Sequence, residues 1–138
     1  MTTPLACLLF FVGWTLCVVF FGVGMFRVGN VLLGRARPNG FPADVPHGPD
    51  WYRRVARAHA NCVENLGPFA AVVLTGHVVG LHDGAFANLA LAYVLARVGQ
   101  TVSHIVSNRS LIVNVRFTFF VVQLVCIGAM IVQIVRHG

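Results

Sequence analysis

The sequence predicts an all-α integral membrane protein, a single four-helix bundle occupying residues 1–138. Three observations carry this prediction. First, 57% of the residues are hydrophobic and only 10% are charged, against about a quarter charged in an ordinary soluble domain. Second, four hydrophobic segments follow one another, each long enough for a bilayer core of about 30 Å. Third, the basic residues gather beside those segments. The connections are too short to hold a soluble domain, and backbone that crosses lipid must satisfy its own hydrogen bonds, which favours helices here.

The first hydrophobic segment, residues 5–26, carries no charge. It is read as the start of a helix over about 5–34, with Arg27 and Asn30 on one face of its extension. Met1-Thr2-Thr3-Pro4 offers no positive leader, and the apolar run is too long for a cleaved signal, so a retained helix is expected. Leu5-Ala6-Cys7 lacks what should precede a lipoprotein cysteine. The stretch 35–50 holds Pro38, Gly40, Pro42, Pro46, Gly48 and Pro49 and reads as a loop. Asp50 is placed to cap a second helix over about 51–80, with Trp51 and Tyr52 as interfacial anchors. That helix is polar in its first half and apolar from Leu66 onward, and Gly67-Pro68 should kink it. A short turn at 80–84 makes the third helix, about 84–107, its antiparallel neighbour. Ser107-Asn108-Arg109-Ser110 then turns the chain into a fourth helix over about 112–136.

All ten basic residues are arginine, and the formal net charge is +6. Their position beside membrane segments points to topology and lipid headgroups rather than to nucleic acid. Arg27, Arg35, Arg37, Arg53, Arg54 and Arg57 flank the first connection, and Arg109 and Arg116 the third; the second has none. The positive-inside rule therefore makes connections one and three cytoplasmic and puts both termini on the opposite side, with Arg136 the one basic residue against this. Cys7, Cys17, Cys62 and Cys126 all fall in helices without metal-ligand spacing and read as small packing residues. No metal site is expected; His59 and Glu64 are wrongly spaced to share an ion.

Function is carried by polar residues inside the hydrophobic segments. At 100° per residue, Asn61 lies about 40° and Glu64 about 20° from Arg57, on opposite sides, while His59 points the other way. A stripe of Arg57, Asn61 and Glu64 is expensive beside lipid, so it must face protein, water or a polar ligand. On helix three, Arg97, Gln100, Thr101, His104 and Asn108 fall within an arc of about 100°. Helix four adds Arg116, with Gln123 two turns on along the same face. The reading is one cavity with several cations and a single carboxylate, suited to an anionic or zwitterionic small molecule because arginine binds carboxylates as a two-pronged fork. The bland alternative is an internal Glu64–Arg97 or Glu64–Arg57 ion pair that holds helices together.

The run Arg54-x-x-Arg57-Ala58-His59-x-Asn61-x-x-Glu64-Asn65, followed by Pro68-Phe69, resembles the helix-two signature of the MAPEG proteins, the membrane-associated proteins in eicosanoid and glutathione metabolism. Arg97 in helix three and Arg116 at the start of helix four fit the same pattern, so the resemblance spans nearly the whole chain. It implies a homotrimer with active sites between subunits and glutathione as co-substrate near the cytoplasmic surface. Residues matching Arg57, Asn61, Glu64 and Arg97 hold the carboxylates and amino group of glutathione. Arg27, Asn30, Arg54, His59 and Gln100 complete the candidate binding set. Arg116 is the candidate for stabilising the thiolate, with Arg109 as rival because the stretch after His104 is longer than in the pattern. His104 stands where many members have tyrosine and is a second catalytic candidate; Gln100 departs similarly.

The implied activity is a glutathione (or similar thiol)-dependent transferase or peroxidase acting on a lipophilic small molecule that enters from the membrane lipids. A non-catalytic lipid-binding or scaffold member of the same fold is the alternative. A small transporter or channel built around Glu64 and the arginines is the third reading, weakened because the polar groups stop halfway across the bundle.

Overall fold

The computed structural model describes residues 1–42, 46–82, 84–106 and 110–137. These are helical apart from the connections. Helix α1 spans Thr3–Cys17 and passes through a π-helical segment, Val18–Gly24, into α2, Met25–Leu32. The three pieces form one continuous helix, Thr3–Leu32. Helices α3 (Asp50–Val78), α4 (Gly84–Val106) and α5 (Ser110–His137) follow. Four helices are thus present, as the predicted fold class requires, and their ends lie within two residues of the predicted ones. Pro49 rather than Asp50 occupies the N-cap of α3. Asp50 instead sits in the first turn, where its charge suits the helix dipole, and pairs with Arg53.

Two helix ends are closed by glycines in the left-handed conformation that other residues avoid. At the end of α2, Gly34 has φ 67°, and the Arg35 and Gly34 amides return to Asn30 O and Val31 O at 2.9 and 3.0 Å. At the end of α3, Gly80 has φ 82°, and Leu81 and Gly80 return to Gly76 O and His77 O at 2.8 and 3.2 Å. Both are the paired closure that satisfies otherwise orphaned carbonyls and reverses the chain.

Matched contacts fix an up-down-up-down arrangement. Phe11 meets Phe69, and Arg27 meets Tyr52, so the first helix and α3 run antiparallel. Cys62 meets Thr101 and Arg54 meets Ile105, giving the same relation between α3 and α4. Gln100 meets Gln123 and His104 meets Arg116, giving it again between α4 and α5. The helices approach closely at glycines. A Cβ on Gly22 would collide with the Val55 side chain, one on Gly76 with the Phe86 ring, and one on Gly99 with the Phe119 ring.

One half of the bundle is filled by apolar side chains. Phe69 and Tyr93 stack with centroids 4.2 Å apart and planes 3° from parallel, and Phe11 tilts against both. Val73, Phe86, Cys62, Cys126 and Met130 close this core. The outside is covered with Leu, Val and Phe, including Leu9, Phe20, Phe21, Leu95, Leu124 and Val125. A water-soluble domain would not expose such a continuous apolar surface. Three helices, Thr3–Leu32, Gly84–Val106 and Leu111–His137, are long and apolar enough to cross a membrane. Helix α3 is as long, but Arg53, Arg54, Arg57 and Glu64 crowd its first half. The protein is an integral membrane helical bundle.

Candidate functional site

The polar residues concentrate in the other half of the bundle, toward the ends of α2 and α4 and the starts of α3 and α5. Helix α4 turns its stripe inward: Arg97 is 1% exposed, and Gln100 and Thr101 are also buried. The row arises because Ala90, Tyr93, Val94 and Ala96 bury the preceding turns of the same face, so Arg97 is carried inside with them.

Arg97 is the centre of this half. Its Nη1 donates to Asn61 Oδ1 at 2.5 Å, and its guanidinium lies over the Phe11 ring, 5.8 Å from the centroid. Its Nε and Nη2 are buried with no acceptor among the described residues. A cation in a dry interior with two unspent donors is costly unless an anion meets it. Thr101 Oγ1 donates to Arg97 O at 2.9 Å and lies 3.3 Å from Cys62 Sγ, which holds this turn of α4 against α3.

The α3 stripe divides. Tyr52, Val55, Ala58, Cys62, Phe69 and Val73 define the buried face of α3. Asn61 sits on its flank, where Arg97 reaches it. Arg57 and Glu64 point away from the core and are exposed on the single chain. Among the described residues the sole ion pair is Arg53–Asp50. Glu64 therefore pairs with neither Arg57 nor Arg97, and the internal-glue reading finds no such contact. His59, half-buried, lies off this stripe.

At the start of α5, Arg116 Nη1 lies 3.1 Å from His104 Nδ1, and its Nε donates to Ile112 O at 3.4 Å. Arginine only donates, so the His104 nitrogen is the acceptor. His104 also feels the fields of Arg57 and Arg97, so three guanidinium groups act on one small region. Arg109 and Asn108 lie outside the described residues.

Other members of the predicted set have internal acceptors. Arg27 Nε donates to Tyr52 Oη at 2.8 Å, and its guanidinium covers the Phe41 ring at 5.4 Å. Asn30 Nδ2 donates to Phe26 O at 2.8 Å. Arg54 Nε donates to Ile105 O at 2.9 Å, one of the last carbonyls of α4 and so lacking a helical donor. Sequence reasoning misses Tyr52 and Phe41 as seats for Arg27. In the sequence the tyrosine reads only as an interfacial anchor, and no local pattern links residues 25 apart. The pairing of Gln123 with Gln100 is missed as well, although both stand out as polar positions inside apolar helices.

Among the described residues no group of three or more His, Cys, Asp or Glu side chains could hold a metal ion. The cysteines are all free, Cys17 exposed and Cys7, Cys62 and Cys126 buried. Chemically, the arrangement offers one carboxylate, several amides and a cluster of cations at one level of a membrane bundle. That set suits a small molecule bearing carboxylates.

No curated protein matches the chain at a significant level. The sequence model of the MAPEG family matches residues 4–136, taking in all four helices but for one residue at each outer end and the whole of the polar site, and the chain belongs to the MAPEG family.

Proposed function

We propose that this protein is a membrane enzyme that uses glutathione, or a similar low-molecular-weight thiol, as co-substrate for transfer to, or reduction of, lipophilic electrophiles. The observation that carries the reading is the Arg97 guanidinium, buried with Nε and Nη2 unspent and fixed by Asn61. A carboxylate is the natural partner for such a fork. Arg57 and Glu64 supply a second cation for another carboxylate and an acceptor for an ammonium group. Family membership supports a role related to glutathione or eicosanoid metabolism.

Arg97, Asn61, Arg57 and Glu64 would hold the thiol compound, which supplies a sulfur nucleophile. A free thiol has a pKa near 8.5 and is mostly protonated at neutral pH. Arg116 would place positive charge near the sulfur and favour its ionised form, each pKa unit being worth about 1.4 kcal/mol. His104, by accepting from Arg116, would hold that guanidinium in one orientation. Electrophiles dissolved in lipid can approach along the apolar surface of the first helix, where Leu16, Cys17, Val19, Phe20, Phe21 and Gly24 line a shallow hollow.

We further propose a homotrimer with the arginine-rich end at the cytoplasmic face. Arg57 and Glu64 are exposed on the apolar flank of one chain, a placement lipid does not tolerate, so a second copy covering α3 explains them. The reading is tested by thermal unfolding of the detergent-purified protein in rising glutathione. A ligand binding only the folded state stabilises by about 2.7 kcal/mol at a hundredfold excess over its Kd. The melting point should climb with glutathione and stay flat in Arg97→Ala; a flat wild type would sink the thiol reading.

A non-catalytic, lipid-binding member is favoured by two observations: Gln100 uses both ends of its amide inside the bundle, and Arg116 engages His104. Conjugation of a generic electrophile above a protein-free blank would eliminate it.

A further inference from the structure

Gln123 is 1% exposed in the middle of α5, two turns beyond Arg116. Its Nε2 donates to Phe119 O at 2.9 Å and to Gln100 Oε1 at 3.0 Å. Gln100, itself buried, donates from Nε2 to the backbone oxygen of Arg116 at 3.3 Å. The Ser103 hydroxyl donates to the Gln100 backbone carbonyl at 2.7 Å. The approach that makes this relay possible depends on Gly99, since a Cβ there would come within 2.6 Å of the Phe119 ring. Helix α4 therefore grips Arg116 twice, at its backbone oxygen through Gln100 and at its guanidinium through His104.

Packing alone does not account for this chain of amides. Gln123 Oε1 is buried with no donor among the described residues, and a buried polar atom left unsatisfied is destabilising. Leucine would fill a similar space in a lipid-embedded bundle without that cost. A polar pair held against its own stability cost fits a task of placement. From this geometry we infer that Gln123 is a positioning residue: through Gln100 it fixes the turn of α5 that carries Arg116, and so sets how strongly that guanidinium acts on a bound thiol. The inference rests on the thiol reading of the site.

The test compares wild type with Gln123→Leu, Gln100→Leu and the double variant, all purified in the same detergent. Three quantities are read: the melting point without ligand, the Kd for glutathione, and the midpoint of the bound thiol's titration, followed by thiolate ultraviolet absorbance. Removing one amide strands the other, so each single variant should melt lower; removing both should return melting close to wild type. The thiol midpoint should nevertheless stay raised by about one pH unit in both Gln123→Leu and the double variant, or about tenfold less thiolate at a fixed low pH. Glutathione Kd in Gln123→Leu should change by less than about threefold, since Arg97 and Arg57 hold the carboxylates. If the thiol midpoint returns to the wild-type value together with melting in the double variant, Gln123 is helix glue and the inference fails. It fails equally if the wild type binds glutathione and Gln123→Leu leaves the midpoint unmoved. If wild type shows no saturable glutathione binding, the thiol reading falls and this inference with it. Should Gln123→Leu not fold, the double variant carries the comparison alone.

Discussion

The two halves of this bundle solve opposite problems. In the half built on Phe11, Phe69, Tyr93, Phe86 and Met130, apolar surfaces interlock and aromatic rings stack. In the half built on Arg97, Gln100, His104 and Arg116, polar groups are buried at a cost, and two of the Arg97 donors are left unspent. In lipid, burying an apolar side chain gains little from leaving water, so packing and shape must hold the first half together. The second half is tolerable only if something meets its charges. The comparison teaches that stability and chemistry are segregated along the helix axes, with Phe11 as the seam, touching the aromatic stack on one side and the Arg97 guanidinium on the other.

Substitutions should separate the halves, beginning with the largest effect. Phe69→Ala removes the ring stacked on Tyr93 and fully buried between α1 and α4. It should cost about 2–3 kcal/mol, mainly the cavity part of the cost seen in water-soluble cores, read as a lowered melting point with glutathione affinity unchanged in the molecules that remain folded. Glutathione affinity falling as steeply as stability would break the separation. Arg97→Met keeps the bulk and deletes the charge. We expect the ligand-induced rise in melting to vanish while the unliganded protein melts at or above the wild-type temperature, because an unsatisfied buried cation is removed. A fall in unliganded stability of several degrees would instead make Arg97 a structural strut. Tyr52→Phe removes the acceptor for Arg27, worth about 1.5–3 kcal/mol for a charged donor when buried and less here, since Arg27 is only half-buried. Its melting point should fall modestly with glutathione affinity unaltered; lost affinity would return Arg27 to the binding set. Thr101→Val should have the smallest effect, about 0.5–1.5 kcal/mol, through the lost contacts to Arg97 O and Cys62.

Much of this division can be read from the chain. The helices follow from hydropathy because lipid demands length and apolarity together. The Arg57–Asn61–Glu64 and Arg97–Gln100–His104 stripes follow from helical period alone. What period does not reveal is the direction a stripe faces. The sequence suggests a single cavity holding all the cations, whereas Arg97 lies inside the bundle and Arg57 and Glu64 lie on its outer face. That direction is decided by Val55, Cys62, Phe69 and Val73, whose claim on the core rotates α3 as a rigid rod. The seats of Arg27 and Arg54 are equally hidden, because each lies on another helix.

The π-helical segment Val18–Gly24 has a consequence for how this chain can change in length. A wide turn accommodates an extra residue without breaking the rod, and each residue rotates the remainder of the helix by about 100°. Deleting one residue between 18 and 24 should let the segment relax into ordinary helix, sparing the aromatic stack around Phe11. Because the wide turn has already absorbed that residue, Arg27 would keep its side of the helix and its bond to Tyr52, and Phe26 its ring contacts with Trp51 and Tyr52. The segment therefore works as a shim: it takes up one residue of length so that the aromatic stack on one side of it and the fastening of the first connection on the other both stay in register.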